Sequence, residues 1–117
     1  MVKTVKKKYI PKQGDIILLD FNPQKGHEQK GKRPALVVST DLFNEKTNFA
    51  LVCPITNKDN RFPLHIILPD SISTSGFVLT EHVRSIDFTA REISFLECIP
   101  SDFMEYILSV LESFYHS

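Results

Sequence analysis

Ile16-Ile17-Leu18-Leu19-Asp20-Phe21 and Ala35-Leu36-Val37-Val38 are two apolar runs, and between them lies Lys25-Gly26-His27-Glu28-Gln29-Lys30-Gly31-Lys32-Arg33-Pro34. The first run is apolar rather than alternating, which is the pattern of a strand covered on both faces. Asn22-Pro23 ends it. Pro34 has no N–H to give a ladder, so it belongs at the first residue of a second strand, predicted over 35–39. Gly26 and Gly31 make the connection tightly turned or mobile. Lys25, Lys30, Lys32 and Arg33 give it four cations, beside the Glu28 carboxylate and the His27 imidazole. Folding a surface loop requires no such density. Cations next to a group that titrates near neutrality suit phosphodiester chemistry.

Outward from this pair of strands the chain reads as short β segments. Residues 1–12 form a basic lead-in, and 13–117 a single domain. Residues 40–48 are polar with room for a short helical turn. A third strand is predicted over 49–55, with Pro54 marking an edge or a bulge. Residues 64–68 form a fourth, closed by Pro69-Asp70. Gly76 opens an extended stretch over 77–86, whose alternation puts Glu81 and Val83 on one face and His82 and Arg84 on the other. Residues 94–99 are a last strand. The C-terminal segment is helical: Phe103, Ile107, Val110, Leu111 and Phe114 make one apolar stripe. Ser101 or Asp102 is its expected cap, and Asp102 with Glu105 has capping-box spacing. The fold class is therefore mainly β with a minor α part, a small twisted antiparallel sheet or open barrel whose helix covers one opening or face.

The 117 residues, 42% hydrophobic, suit one domain with a real core. Net charge is zero, but nine Lys/Arg face three Asp/Glu through Arg33, and five face eleven beyond it. Such asymmetry points to a polyanion-facing region in the first part. Cys53 and Cys98 each sit in an apolar run and read as buried, unpaired thiols of a reducing compartment. No Cys or His pair has metal-ligand spacing, so no metal or other cofactor is expected. The basic start lacks the apolar segment of a secretory signal, and no run approaches the ~20 residues of a membrane span. A soluble cytoplasmic protein is expected.

Several residues suit chemistry on a phosphate. Arg33 enters a strand, where the sheet would hold its guanidinium rigidly for bidentate contact. Thr56 leaves the third strand beside Asn57, offering a hydroxyl and an amide, although a Thr-Asn pair also simply makes turns. His27 has the unperturbed pKa of an acid–base group, about 6.5. Glu81 is a candidate base and Arg84 a candidate phosphate contact. Phe43, Asn57 and Phe62 are candidate base contacts, with core packing the favoured use of the two aromatics. His65 and His116 are assigned no function.

Gly14-Asp15-Ile16, Asp20-Phe21-Asn22-Pro23 and Gly26-His27-Glu28-Gln29-Lys30-Gly31-Lys32-Arg33-Pro34 together resemble the N-terminal signature of the MazF/PemK/Kid toxins. Phe43-Asn44, Val52-Cys53-Pro54-Ile55-Thr56 and Arg84-Ser85-Ile86-Asp87 are similar to later elements of the same family, in the same order. The resemblance implies an SH3-like (CcdB/PemK-like) antiparallel β-barrel with a C-terminal helix, acting as a homodimer. It implies the toxin half of a type II toxin–antitoxin module: a metal-independent endoribonuclease that cuts single-stranded RNA at short sequences, leaving a 2′,3′-cyclic phosphate and a 5′-hydroxyl. The implied partner is a MazE-like antitoxin whose acidic C-terminal tail crosses the RNA site. By the same resemblance Arg33 and Thr56 stand at the catalytic arginine and threonine, with Glu28, His27 and Glu81 near the chemistry. Lys25, Lys30, Lys32, Asn57 and Arg84 are the expected RNA contacts. Leu79 stands where Kid-like members carry a functional arginine, which shifts weight to Arg33 and Thr56. The alternatives are a CcdB-like, non-enzymatic inhibitor of DNA gyrase with the same fold, or an SH3-like module that grips an acidic peptide.

Overall fold

The computed structural model describes residues 8–21, 31–58 and 61–116. Strand β1 (Asp15–Asp20) pairs antiparallel with β2 (Lys32–Val37), Ile17 opposite Ala35. Helix α1 (Asp41–Thr47) follows, then β3 (Phe49–Thr56), β4 (His65–Ile67) and β5 (Phe77–Leu79). A 3-10 turn, Thr80–His82, separates β5 from β6 (Arg84–Asp87). Strand β7 (Ile93–Cys98) and helix α2 (Ser101–Glu112) complete the described elements. The sheet runs β4-β5-β3-β2-β1-β7, with β6 also on β3. Its end strands β4 and β7 do not pair, so the barrel-like sheet stays open.

The run in β1 is covered on both faces. Ile16, Leu36, Cys53, Ile55 and Val78 pack on one side with Met104 and Ile107 of α2. Ile17, Leu19, Ala35, Val37, Ala50, Val52 and Ile86 form the core on the other. Full burial of an isoleucine such as Ile107 contributes about 1.5–3 kcal/mol, which is what holds an amphipathic helix to a sheet. Helix α1 is closed at both ends: Thr40 Oγ1 accepts from the Phe43 N–H at 3.2 Å, and Asn48 takes the left-handed conformation, φ 62°. Asn44 is fully buried and its amide donates to the Pro11 carbonyl at 2.7 Å, tying the lead-in to the helix.

Local readings differ from this architecture at several points. Strand β2 begins at Lys32, so Pro34 is its third residue, opposite Leu18. The N-cap of α2 is Pro100, with no side-chain cap bond; Asp102 already lies inside the helix, where its carboxylate meets the adjacent Phe103 N–H at 2.8 Å. Phe114 falls beyond the end of α2 and is 38% exposed. Cys98 is a free but exposed thiol, because β7 is an edge strand. Most consequential is the stretch 77–86, which is not one strand. Val52 pairs with Arg84 and Ile55 with Val78, so the five residues 79–83 lie opposite only two, 53–54. The surplus is Thr80–His82, thrown out as a turn, and Pro54 lies at the break, where no ladder N–H is required.

Candidate active site

The break in pairing opens a cleft of about 580 Å³, lined by Arg33, Pro54, Thr56, Phe62, His65, Leu79, Glu81 and His82 among others. The registers explain why these residues meet. Ala35 pairs with Pro54, and continuing that antiparallel register by two residues brings Arg33 level with Thr56. Thr56 pairs with Phe77, and Leu79 with His65. With a side-chain period of two, Arg33, Thr56, Leu79 and His65 share one face. Thr56 Oγ1 accepts from the Lys58 N–H at 3.2 Å, which leaves its hydroxyl proton free to be donated. Among the described residues the exposed Arg33 side chain has no hydrogen-bond or carboxylate partner. Gly76, at φ +124°, secures the close approach: a Cβ there would stand 2.6 Å from the Thr56 carbonyl oxygen.

At the inner wall, His65 Nε2 lies 2.6 Å from Glu81 Oε2, and His82 Nε2 lies 3.4 Å from the same oxygen. The His65 side chain is 5% exposed and that of His82 62%. Among the described residues, His65 Nδ1 and Glu81 Oε1 are both buried without a partner. The Phe62 ring meets the His65 ring edge-on at 5.2 Å. Burial, assisted by the nearby Glu81 charge, pushes the Cys53 thiol up to about 12, so it is an inert neighbour rather than a nucleophile.

An exposed arginine and a threonine with a free proton, in a cleft with a part-buried carboxylate, suit a phosphate-bearing ligand. Residues 12–115 match the family described as PemK-like, MazF-like toxin of type II toxin–antitoxin system. The chain belongs to that family. It is 39% identical over 84 residues to the endoribonuclease toxin MazF of Escherichia coli K12, covering 72% of this chain and 75% of that one. It is 33% identical over 115 residues to the endoribonuclease PemK of Escherichia coli, covering 95% and 86%. A crystal structure of MazE–MazF (form II) from Deinococcus radiodurans matches with a TM-score of 0.81 at 37% identity, over 92% of this chain and 96% of that one. These relatives are named endoribonucleases, which supports the nuclease expectation and not the CcdB-like alternative.

Among the residues singled out in this family member's sequence, Arg33, Thr56 and Glu81 line the cleft. Lys25, His27, Glu28 and Lys30 lie outside the described residues. Lys32 does not reach the cleft: its Nζ pairs with Glu92 Oε1 at 3.3 Å, because the first residue of β2 sits by the turn into β7. Arg84 does not either; beyond the register break its guanidinium stacks 5.1 Å over the Phe21 ring. Asn57 is exposed and its Oδ1 accepts from Ser75 Oγ at 3.2 Å. Phe62 is 43% exposed on the cleft wall rather than packed in the core. Glu81 and His82 project from a turn rather than from opposite faces of a strand. His65, assigned no function in sequence, is the most buried ionisable group of the cleft wall. Its partner lies sixteen residues away and reaches it only through β4–β5 pairing, which no local pattern announces.

Proposed function

We propose that this chain is an endoribonuclease toxin that cleaves single-stranded RNA without a metal or other cofactor. Support comes foremost from the convergence of Arg33 and Thr56, one entering β2 and the other ending β3, on a single cleft. In this reading the ribose 2′-hydroxyl is aligned with the adjacent phosphorus, and alignment alone supplies about 7–11 kcal/mol of the barrier. The Glu81 carboxylate takes the 2′-proton as the 2′-oxygen–phosphorus bond forms. Arg33 neutralises the charge that builds on the phosphorane oxygens, and the Thr56 hydroxyl donates to one of them. The bond to the 5′-oxygen breaks, that oxygen takes a proton from water at the open mouth, and a 2′,3′-cyclic phosphate remains. Bases are held unstacked at the rim, where Phe62 offers a ring. Lys25, Lys30, His27 and Glu28 are assigned to the same surface on the family resemblance alone.

The protein acts in the cytoplasm as a homodimer, and its antitoxin partner lays an acidic tail over the cations that otherwise hold phosphates. Both associations weaken with added salt. The test is incubation of pure protein with single-stranded RNA in excess EDTA, beside DNA of the same sequence. RNA is cut and DNA, lacking the nucleophile, is not. Cutting of both, or of neither, refutes the mechanism. A parallel gyrase supercoiling reaction stays unaffected.

A further inference from the structure

The His65–Glu81 pair is built beyond what packing requires. A histidine with 95% of its side chain out of solvent could have been replaced by an apolar residue, yet it spends one ring nitrogen on Glu81 at 2.6 Å and leaves the other unpartnered. Unsatisfied buried polar atoms cost stability, so a fold keeps them where they serve something else. The carboxylate shows the same imbalance: Oε2 receives His65, with His82 at 3.4 Å, while Oε1 is left without a partner.

We propose that His65 is the positioning residue that holds the Glu81 carboxylate at the cleft wall, where it meets the ribose 2′-hydroxyl. This rests on the nuclease reading above and deepens it. An ionised carboxylate only accepts, so Nε2 of His65 carries the hydrogen and donates it to Oε2. That bond fixes the carboxylate rotamer, which the turn Thr80–His82 alone would leave free to swing. During the step the 2′-O–H proton moves to the Glu81 carboxylate, and nothing is oxidised or reduced. His65 keeps its own proton throughout.

The ionisable surroundings of Glu81 are few. His65 faces it from β4, His82 from its own turn and Cys53 from β3, while Arg33 and Lys58 line the same cleft. Helix α2 also packs against the turn, but its ionisable side chains are all exposed. Removing His65 therefore removes the one buried donor to the carboxylate among the described residues.

The experiment measures single-turnover and steady-state cleavage of a short single-stranded RNA, in EDTA, by the full chain and its variants, with thermal unfolding of each as a folding check. His65→Ala and His65→Asn, the latter too short to reach Glu81, lower kcat by about 10–100-fold with KM changed less than about threefold. His65→Gln places an amide donor where Nε2 was and recovers most of the rate. Glu81→Gln is slow by about 100-fold or more, and adding His65→Ala to it costs less than about threefold further. Wild-type kcat in folded H65A, a folded H65Q as slow as H65A, or losses that multiply in the double variant would each overturn the assignment. Failure of every His65 variant to fold would make the residue scaffold and do the same. If the wild-type chain cuts no RNA, the nuclease reading falls; if it cuts, and R33A does not, while H65A is unimpaired, only the role of His65 falls.

Discussion

The two ends of β3 face the same neighbouring segment, residues 77–87, and have opposite characters. At one end Ala50 and Val52 pair with Ile86 and Arg84, and Ala50, Val52 and Ile86 are buried. At the other, Ile55 and Thr56 pair with Val78 and Phe77, and the face carrying Thr56 opens into the cleft. Three residues, Thr80–His82, separate the two pairings. A continuous ladder would have put cross-strand neighbours over the whole strand and left no room for a ligand. The slip changes that: one end of the strand stabilises the fold, and the other presents polar groups that the fold does not need. Stability and chemistry should therefore separate along a single strand.

The largest expected effect tests the packed end. Ile86 is 1% exposed, and Ile86→Ala should cost about 2–5 kcal/mol of unfolding free energy in a denaturant titration. Cleavage per folded molecule should stay near wild type. A cleavage defect larger than the loss of folded protein would show that the ends are coupled. Next is the cleft end. Arg33→Ala should slow cleavage by about 100–1000-fold, equivalent to about 2.7–4 kcal/mol in the barrier. Its unfolding midpoint should not move, because the side chain is exposed and, among the described residues, unpaired. A folded R33A protein of full activity would dissolve the distinction.

The packed end was far more legible in sequence than the cleft end, for a physical reason. Apolar runs and prolines report on burial and on missing N–H donors, which are local properties, so the strands and the α2 stripe could be located along the chain. Arg33 and Thr56 could be singled out because each sits at a strand end. What sequence could not report was register. Whether Arg84 turns to a phosphate or lies over Phe21 depends on which side of a three-residue slip it falls. Lys32 looked like part of a phosphate grip, yet its Nζ is taken by Glu92, sixty residues on. His65 carries no local sign of a function, and only the β4–β5 pairing shows what it touches. Pro54 did announce an irregularity, but not its size.

Gly76→Ala should give an intermediate effect that sharpens the contrast, since it acts on the cleft end through backbone rather than chemistry. At φ +124° an L side chain is strained, and the new Cβ would meet the Thr56 carbonyl oxygen at 2.6 Å. Backbone strain of this kind costs about 1–3 kcal/mol, and relief requires β5 to move off Thr56. Both the unfolding midpoint and the cleavage rate should fall, unlike the single losses at Ile86 and Arg33. A variant that loses stability but cuts at the wild-type rate would mean that Thr56 need not be held closely.

The smallest effect concerns what anchors the loop leading into the cleft end. Glu97 of β7 accepts from the Ser73 N–H at 3.1 Å and from the Thr74 N–H and hydroxyl, each at 2.6 Å. Both its oxygens are satisfied, unlike those of Glu81. These bonds, foremost the Thr74 hydroxyl, hold the Glu97 carboxyl below its usual range. A folded-state pKa below the unfolded one gives stability that is present above the unfolded value and is lost as pH falls through the folded one. Glu97→Gln removes the charge but keeps one acceptor, so at neutral pH the variant should unfold at slightly lower urea than wild type. As the solution is acidified through the carboxylate range, the wild-type advantage should shrink and vanish. Paired urea titrations at neutral and acid pH measure it. A gap that stays constant with pH would mean that the clamp works by shape rather than charge, and a fall in cleavage rate with it would extend the cleft's dependence out to the edge strand.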